Sequence, residues 1–304
     1  MAGINEGRVV VITGSGRGIG RSHAIEFASQ GAKVVVNDLG AEVDGSGRSE
    51  GPAGQVVDEI TAMGGQAVAN GDDVSDTEGA KRLIATAVDT FGGLDVLVNN
   101  AGILRDRMLV NMTVDEWDAV IRVHLRGTFA PMRAAVEYWR NRSKAGESND
   151  ARIINTTSPS GIYGNVGQTN YGAAKAGIAS LTIIAAMELG RYGVTVNAIA
   201  PAALTRMTEN LGGGFDAEVA PDQFDPNDPD NIAPLVVWLG SPESKDITGR
   251  VFNVFGGHIS VAEGWVAGPG ADKGDRWDSA ELGSVIPDLV AKAAPNANML
   301  GRRD

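Results

Sequence analysis

A tyrosine and a lysine stand four residues apart, at Tyr171 and Lys175, thirteen residues after Ser158. Side chains with this spacing lie on one face of a helix, so the phenol and the ammonium can approach the same small volume. A phenol with a pKa near 10 is a poor base at neutral pH, but a neighbouring cation favours the phenolate and lowers that pKa. A hydroxyl such as that of Ser158 can then orient a substrate oxygen. The three residues therefore predict proton transfer to or from an alcohol.

A glycine-rich sequence follows an apolar segment near the N-terminus. Thr-Gly-Ser-Gly-Arg-Gly-Ile-Gly occupies residues 13–20, and a helical pattern begins immediately afterwards. Glycine is needed where the backbone turns sharply and where a pyrophosphate approaches the main chain, and the helix N-terminus supplies N–H donors. The alternative is a glycine-rich turn that binds no ligand. We predict a dinucleotide site that includes Gly14, Arg17, Gly18, Ile19 and Gly20.

The second apolar segment ends in a carboxylate, Asp38, eighteen residues after Gly20. A carboxylate at this position can accept hydrogen bonds from both ribose hydroxyls of NAD, and it would repel the ribose phosphate of NADP. Arg17 favours the opposite cofactor, because a cation in the glycine loop can meet that phosphate. A partly buried contact between like charges costs more than an exposed arginine contributes. The predicted cofactor is therefore NAD.

Two further groups of residues follow predicted strands, at the edge where ligands gather in such sheets. Asp73 and Val74 follow the third strand, whereas Asn100, Ala101 and Gly102 follow the fourth. We predict that Asp73 binds the adenine amino group, with a helix cap as the alternative. The turn through Asn100, Ala101 and Gly102 is predicted to line the adenosine and ribose, or only to close the strand.

Short β-branched segments alternate with longer helical patterns along the chain, which is typical of βαβ units. The predicted strands are residues 8–13, 33–38, 66–70, 95–99, 152–157, 194–199 and 250–254, and the predicted helices are residues 21–30, 55–63, 78–91, 114–140, 171–192 and 231–239. The strands are nearly all apolar, as burial on both faces requires. The fold class is therefore α/β, a doubly wound parallel sheet of about seven strands with helices on both faces.

No linker divides the chain, which predicts a single domain over residues 1–304. Residues 40–54 and 212–230 do not fit the alternation and are interpreted as surface insertions. Residues 264–304 form a C-terminal extension that covers either a substrate pocket or a neighbouring subunit.

The composition excludes several classes of function. Its 26 basic and 38 acidic residues give a net charge of −12, so a nucleic acid would have to bind against the overall field. The chain has no cysteine, which rules out disulfides, thiolate metal sites and cysteine nucleophiles. We predict no metal site. The N-terminus lacks a signal-peptide pattern, and no segment approaches about eighteen unbroken apolar residues. We therefore expect a cytoplasmic protein that does not enter a membrane.

Taken together, these motifs resemble the short-chain dehydrogenase/reductase family over residues 8 to about 257. The resemblance rests on Thr13-Gly14, Gly18, Gly20, Asn99-Asn-Ala-Gly102, Ser158 and Tyr171-Gly-Ala-Ala-Lys175. It implies a Rossmann-type fold, a nicotinamide cofactor and catalysis by serine, tyrosine and lysine. By the same resemblance, Tyr171 exchanges a proton with the substrate oxygen, Lys175 lowers the Tyr171 pKa and holds the nicotinamide ribose, and Ser158 polarises the carbonyl. The alternative for Tyr171 and Lys175 is a surface pair on an amphipathic helix.

Two positions extend the resemblance. His124 stands where the family often has an asparagine of a proton relay, so it either replaces that residue or packs in a helix interior. Thr205 and Thr208 follow the sixth strand, where family members often contact the nicotinamide carboxamide. Either threonine contacts it here or caps the next helix.

Longer segments resemble a narrower group, the (3R)-hydroxyacyl-CoA dehydrogenase part of peroxisomal multifunctional enzyme type 2. They are residues 35–40, 99–107, 122–127 and 160–168, and the group shares the histidine at 124 and the insertion after the second strand. The resemblance implies NAD-linked interconversion of a (3R)-hydroxyacyl thioester and its 3-oxo form, in a homodimer or homotetramer. Arg105, Arg107 and Arg126 either meet phosphates of coenzyme A or are solvated charges.

Two alternatives remain for the function. One is an NADPH-dependent reductase of 3-oxoacyl, steroid or other secondary-alcohol substrates, for which Arg17 is the local hint. The other is a non-catalytic dinucleotide-sensing protein, which has no need for Ser158, Tyr171 and Lys175 together.

Overall fold

A single mixed sheet organises residues 3–47, 51–207 and 223–303, which are the residues described by the computed structural model. Within them the sheet has eight strands in the order β3-β2-β1-β4-β5-β6-β7-β8. All neighbouring pairs are parallel except β7 and β8, which are antiparallel. The strands are β1 Val9–Thr13, β2 Lys33–Asn37, β3 Gln66–Asn70, β4 Val96–Asn99, β5 Ala151–Thr156, β6 Val194–Ala202, β7 Val251–Phe255 and β8 His258–Ala262. The doubly wound Rossmann-type α/β fold is confirmed.

Helices cover both faces of the sheet. They are α1 Gly18–Ser29, α2 Gly51–Ala62, α3 Thr77–Phe91, α4 Val114–Ile121, α5 Gly127–Lys144, α6 Pro159–Ile162, α7 Thr169–Leu189, α8 Ala233–Gly240 and α9 Leu282–Lys292. The single helix predicted for residues 114–140 is divided, because a π-helical turn at Arg122–Arg126 separates α4 from α5. Its N-terminus does begin where predicted, since Thr113 and Glu116 form a capping box.

Alternate residues of the central strands enter two hydrophobic cores, one on each face of the sheet. Val10 and Ile12 pack with Phe27 of α1, whereas Val9 and Val11 belong to the core that contains Trp139 of α5. Burial on both faces explains why these strands are continuously apolar. The expectation that the strands are buried on both faces fails at β3, an edge strand that is only partly buried.

The sequence patterns missed three elements. Strand β8 follows the Gly256–Gly257 turn and is half exposed, so its five residues lack the apolar run used to find the other strands. Helix α6 is a single turn. Helix α9 lies in the predicted C-terminal extension, and none of its residues is buried.

The first predicted insertion, residues 40–54, is a surface loop only in part. Residues 51–54 of this first insertion are the beginning of α2, and residues 41–43 and 45 line a cavity that is described below. Most of the second insertion, and Thr208, lie outside the described residues.

The segment Thr169–Tyr192, which comprises α7 and the following turn, is long and apolar enough to cross a membrane by length and composition alone. The segment contains polar residues, so this finding agrees with the observation that no segment of the sequence approaches about eighteen unbroken apolar residues. About 39% of its most apolar window is buried. One face of α7 packs against β5 and β6, as expected for a core helix of a doubly wound sheet.

Candidate active site

A cavity of about 610 Å³ lies at the carboxyl ends of the parallel strands. The strand order reverses between β1 and β4, and ligands of open α/β sheets bind in the crevice at such a reversal. The structure brings sixteen of the predicted site residues to this cavity. They are Gly14, Arg17, Gly18, Ile19, Gly20, Asp38, Asp73, Val74, Asn100, Ala101, Gly102, His124, Ser158, Tyr171, Lys175 and Thr205.

The glycine loop requires its glycines for two different reasons. Gly14 and Gly18 have φ values of +63° and +52°, which L side chains rarely adopt. Gly20 instead packs closely, because a Cβ there would lie 2.1 Å from the Gly14 carbonyl oxygen. The Asn100 side-chain amide donates to the carbonyl oxygens of Thr13 and Gly14, at 3.1 and 3.0 Å. Asn100 therefore holds the loop in shape.

The loop fits the pyrophosphate of a dinucleotide. Helix α1 begins at Gly18, and its N-cap residue, Arg17, makes no side-chain capping hydrogen bond. The first turn of α1 contains no acidic residue. The main-chain N–H groups of this turn are therefore directed at the cavity beside a bare glycine surface, which is the arrangement that binds phosphate.

Asp38 is held in a defined position immediately after β2. Its Oδ2 accepts a hydrogen bond from the Gly16 N–H at 2.8 Å, and its Oδ1 accepts one from the Gly40 N–H at 2.7 Å. Each carboxylate oxygen can accept further bonds. The residue is therefore fixed as an anion at the wall of the cavity, whereas Arg17 is exposed.

Asp73 does not cap the helix that follows it, so that alternative is wrong. Asp76 caps α3, by accepting from the Gly79 N–H at 2.7 Å. The Asp73 carboxylate instead binds the Ser75 N–H and hydroxyl and forms an ion pair with Arg122 at 3.0 Å. Burial raises the pKa of Asp73, but the Ser75 hydrogen bonds and Arg122 outweigh that effect, so the net pKa lies below its usual value. Binding of adenine by Asp73 stays a prediction.

Ser158, Tyr171 and Lys175 converge at the end of the cavity next to β5. Ser158 follows β5 and caps α6, where its hydroxyl accepts from the Ser160 N–H at 3.2 Å, and it lies close enough to Tyr171 to favour a lower pKa of that phenol. The Lys175 Nζ donates to the Thr156 carbonyl oxygen at 2.6 Å and lies 5.5 Å from the centre of the Tyr171 ring. Lys175 is only 3% exposed, so the pair does not lie on an exposed helix surface.

The expected lowering of the Tyr171 pKa by Lys175 is not what the structure shows. Burial raises the pKa of Tyr171 to about 12, the Ser158 hydrogen bond opposes this rise, and Asp106 adds to it. Burial also lowers the pKa of Lys175 to about 7. Both shifts have one cause, because removal from water penalises the phenolate and the ammonium alike. The lysine therefore does not by itself create a phenolate at neutral pH.

His124 lies in the π-helical turn and is 1% exposed. Its Nε2 lies 3.1 Å from the Ile103 nitrogen and 2.7 Å from the Ile103 oxygen, so its role as acceptor or donor depends on the tautomer. Its ring meets the Tyr171 ring edge-on, with centroids 5.1 Å apart. Burial, and then the charge of Lys175, lower the pKa of His124 to about 3. The neutral ring thus packs and hydrogen-bonds in a helix interior, which is one of the two predictions for His124. The other, that His124 takes part in a proton relay, stays a prediction.

Gly102 and Thr205 complete the centre of the cavity. A Cβ at position 102 would lie 2.4 Å from the His124 Cε1, so only glycine allows the histidine its place. Thr205 lies against Gly18 at the start of α1, and its hydroxyl accepts from the Met207 N–H at 3.2 Å. Its predicted contact with a nicotinamide carboxamide stays a prediction.

A polar network beside the catalytic group was not predicted from the sequence. Gln168 donates to Asp106 at 2.7 Å and accepts from the Ser160 hydroxyl at 2.7 Å. Burial raises the pKa of Asp106, and the Gln168 hydrogen bond opposes that rise. The only signal in the sequence was that residues 160–168 belong to the segments that carry the narrower resemblance.

The three arginines considered for coenzyme A have different environments. Arg105 donates to the main-chain oxygen of Asp44 at 2.8 Å, within the insertion after β2, and Arg107 pairs with Glu116 at 2.8 Å. Arg126 is exposed on the π-helical turn. Arg105 and Arg107 are thus engaged with the protein itself.

The fold and the site together define a class of protein, a nicotinamide-dependent oxidoreductase that acts on a CH–OH group. Residues 8–213 match the family model described as short chain dehydrogenase. The chain belongs to the short-chain dehydrogenase/reductase family.

Curated relatives and a solved structure extend this result. The chain is 44% identical over 300 residues to "Hydroxyacyl-CoA dehydrogenase ChsB1" of Mycobacterium tuberculosis, covering 95% of this chain and 90% of that protein. It is 45% identical to "Peroxisomal multifunctional enzyme type 2" of Mus musculus, covering 84% of this chain but only 32% of the mouse protein. A crystal structure of a short chain dehydrogenase from Mycobacterium avium superposes with a TM-score of 0.87 at 59% identity, over 97% of this chain and 98% of that one.

Proposed function

We propose that the protein is an NAD-dependent dehydrogenase that interconverts a (3R)-hydroxyacyl thioester and its 3-oxoacyl form. The observation that carries this proposal is the group of Ser158, Tyr171 and Lys175 at one end of a cavity whose other end contains Asp38. Ser158 and Lys175 are buried, and Tyr171 is partly buried. A secondary alcohol beside Tyr171 would lie within the same cavity as a dinucleotide bound at the glycine loop.

The chain's own residues handle the proton, whereas the nicotinamide, when bound, accepts or supplies the hydride. In the oxidation direction the Tyr171 phenolate removes the hydroxyl proton of the substrate, and in reduction the phenol returns it. The Ser158 hydroxyl orients the substrate oxygen. The Lys175 Nζ lies 5.5 Å from the centre of the Tyr171 ring and is held by the Thr156 carbonyl. Because burial raises the pKa of Tyr171, the phenolate depends on added positive charge, which an oxidised nicotinamide carries.

The position of Asp38 supports NAD as the cofactor. Two main-chain N–H groups hold its carboxylate at the cavity wall, where a ribose 2′-phosphate would meet a fixed anion. Glu42 also lines the cavity, but it pairs with Arg206 at 3.5 Å, so the preference for NAD rests on Asp38. The exposed Arg17 contributes less to the binding of NADP than Asp38 opposes it, because solvent screens the charge of the arginine.

Asp38→Asn tests the choice of cofactor, because it removes the charge but leaves the shape. We expect the ratio of kcat/KM with NAD to kcat/KM with NADP to fall roughly 100-fold, since a close like-charge contact is worth several kcal/mol. Steady-state rates with both cofactors measure the ratio. Asp89→Asn, an exposed position on α3, is the matched control and should leave it unchanged. A wild-type preference for NADP would contradict the assignment.

The relatives support the proposed substrate. The Mycobacterium tuberculosis relative, which the chain matches over nearly its whole length, is named a hydroxyacyl-CoA dehydrogenase. A second candidate is an NADPH-dependent 3-oxoacyl reductase, because the chain is also 42% identical to "3-oxoacyl-[acyl-carrier-protein] reductase" of Synechocystis, covering 83% of this chain and 97% of that protein. Asp38 disfavours this second candidate, because the reductase would require NADPH and Asp38 would repel the ribose phosphate of that cofactor.

A screen at the nicotinamide absorbance band tests the proposal. We expect NAD-dependent turnover of (3R)-hydroxyacyl-CoA, with the (3S) isomers at least about 100-fold slower, because Tyr171 and Ser158 fix the substrate oxygen on one side. The screen would include steroid alcohols, other secondary alcohols and 3-oxoacyl thioesters on acyl-carrier protein, with both cofactors. Turnover only of 3-oxoacyl-carrier protein with NADPH would favour the second candidate. Absence of turnover with every substrate would favour a dinucleotide-sensing protein.

The proposal includes self-association as a homodimer or homotetramer. Helix α7 presents Ile183, Ile184 and Met187 to solvent, and α5 presents Phe129. Exposed apolar side chains of this size on adjacent helices are typical of protein–protein contacts.

A further inference from the structure

The C-terminal extension ends in a closed turn, residues 298–302, which we name the tail turn. The Asn298 N–H donates to the Arg302 oxygen at 2.8 Å, and the Gly301 N–H donates to the Asn298 oxygen at 2.8 Å. The Asn298 Oδ1 accepts from the N–H groups of Leu300 and Arg302, at 3.0 and 3.1 Å. These bonds give the turn a definite shape, so its side chains have defined directions.

The tail turn rests on a tyrosine that the sheet holds in place. Gly301 has a φ of +74°, and a Cβ there would lie 2.8 Å from the Tyr163 Oη and 3.0 Å from its Cζ. The Tyr163 hydroxyl accepts a hydrogen bond from the Asn253 amide on β7 at 3.0 Å. The close approach of a bare backbone to this ring ties the end of the chain to the body of the protein.

The position of Tyr163 decides which end of the cavity the tail turn meets. Tyr163 is the C-cap residue of α6, and α6 begins immediately after Ser158. The turn therefore packs on the C-terminal end of the helix that the catalytic serine caps, whereas Asp38 and the glycine loop belong to the ends of other strands. Met299 lines the cavity together with Ser158, Tyr171 and Asn165.

Met299 and its neighbour Leu300 differ in what they contact. Met299 is 36% exposed and contributes to the wall of the cavity, whereas Leu300 is 73% exposed and does not line it. Methionine is apolar, flexible and able to adapt to an apolar surface that lies against it. It is thus suited to contact a substrate chain and not the polar dinucleotide.

We propose that Met299 is a specificity-determining residue, which limits the size of the substrate group that extends from Ser158 and Tyr171. The proposal rests on the proposed function for the identity of that group, the acyl chain of a hydroxyacyl thioester. The C-terminal extension thus supplies one wall of the substrate site, about 140 residues after the catalytic serine. A change of a few carbon atoms in such a wall alters discrimination between substrates by about 10-fold or more.

Side-chain size at position 299 tests the proposal. Met299→Ala should raise the ratio of kcat/KM for a long-chain over a short-chain 3-hydroxyacyl-CoA about 10-fold, and Met299→Phe should lower it by a similar factor. Leu300→Ala is the matched control and should leave the ratio within about twofold of wild type. The dissociation constant for NAD should not change in any variant, which also shows that each one is folded. Equal ratios in all four proteins would overturn the proposal.

A second experiment does not depend on the identity of the substrate. The chain has no cysteine, so Met299→Cys and Leu300→Cys each create a unique thiol. Labelling with a benzyl methanethiosulfonate should reduce kcat/KM for any accepted alcohol more than 10-fold at position 299 but not at 300, and dithiothreitol should restore it. Loss of activity at both positions, or at neither, would overturn the role of Met299. A wild-type protein that oxidises other alcohols but no thioester would overturn the proposed function alone.

Discussion

Replacement of Tyr171 by phenylalanine is expected to reduce kcat at least about 1,000-fold while changing the dissociation constant for NAD less than about threefold. General acid–base catalysis by a positioned side chain contributes roughly 100- to 10,000-fold, and the phenol is the group that the site offers for it. Phenylalanine keeps the ring that meets His124 edge-on at 5.1 Å, so the packing of the site is retained. It removes the hydroxyl whose pKa Ser158 helps to lower.

Steady-state rates and a titration of NAD measure the two quantities separately. Tyr138→Phe is a matched control, because it removes a phenol on α5 that binds Arg142 and lies outside the cavity lining. That variant should keep wild-type kcat. Turnover by Tyr171→Phe within about tenfold of wild type would rule out the proposed proton transfer, whatever the substrate.

The second large effect that we expect is a loss of stability in mild acid, caused by two buried histidines. His23 on α1 and His124 are both fully enclosed, and burial lowers the pKa of each from its ordinary value of 6.5 to about 3. Among the described residues, neither ring nitrogen of His23 has a hydrogen-bond partner. Both side chains are therefore neutral in the folded protein throughout the pH range in which they protonate after unfolding.

The sign follows from proton binding. Between about pH 3 and 6.5 the unfolded chain binds more protons at these two residues than the folded chain, so the free energy of unfolding rises with pH in that window. Each residue contributes up to about 1.4 kcal/mol per pH unit. The loss between pH 8 and pH 5 is thus about 4 kcal/mol for the two histidines together. Carboxylates with lowered pKa values, such as Asp73 and Asp150, contribute only at lower pH.

Urea unfolding at a series of pH values and one fixed protein concentration measures this slope. His23→Leu should roughly halve the slope between pH 5 and 6 and should keep the stability at pH 8, because it removes two buried nitrogens without partners. Equal slopes for wild type and variant would contradict the assignment. His258 is exposed and serves as the control position, at which glutamine should leave the slope unchanged.

Much of the fold could be predicted from the sequence, because the central strands are buried on both faces. Val9 to Ile12 form a continuous apolar run only because alternate residues enter different cores. The elements that the patterns missed lack this constraint. Strand β8 is half exposed and α9 has no buried residue, so little in their composition distinguishes them from loops. The division of the predicted helix at Arg122–Arg126 likewise leaves no mark on its hydrophobic pattern.

The sequence predicted sixteen residues that the structure brings to one cavity, but it did not predict their electrostatics. The glycine loop, Asp38 and the catalytic group lie at strand ends or helix starts, and parallel strands bring those positions to one edge of the sheet. The direction of the Tyr171 pKa was predicted incorrectly, because its largest cause is burial, which depends on atoms distant in the sequence. Asp73 was considered a helix cap for a similar reason, since its partner Arg122 follows 49 residues later.

Spacing along the chain was enough to identify the tyrosine and lysine, their serine and the dinucleotide loop, because helical and strand periodicity place such residues by local geometry alone. Only the tertiary structure showed that Lys175 is buried beneath the Tyr171 ring, that His124 lies edge-on to it, and that Met299 reaches the same cavity. The physical reason is that burial and long-range packing are properties of the assembled chain. Local propensity decides where an element forms, whereas the charge and size of the site are decided by what the fold brings around it.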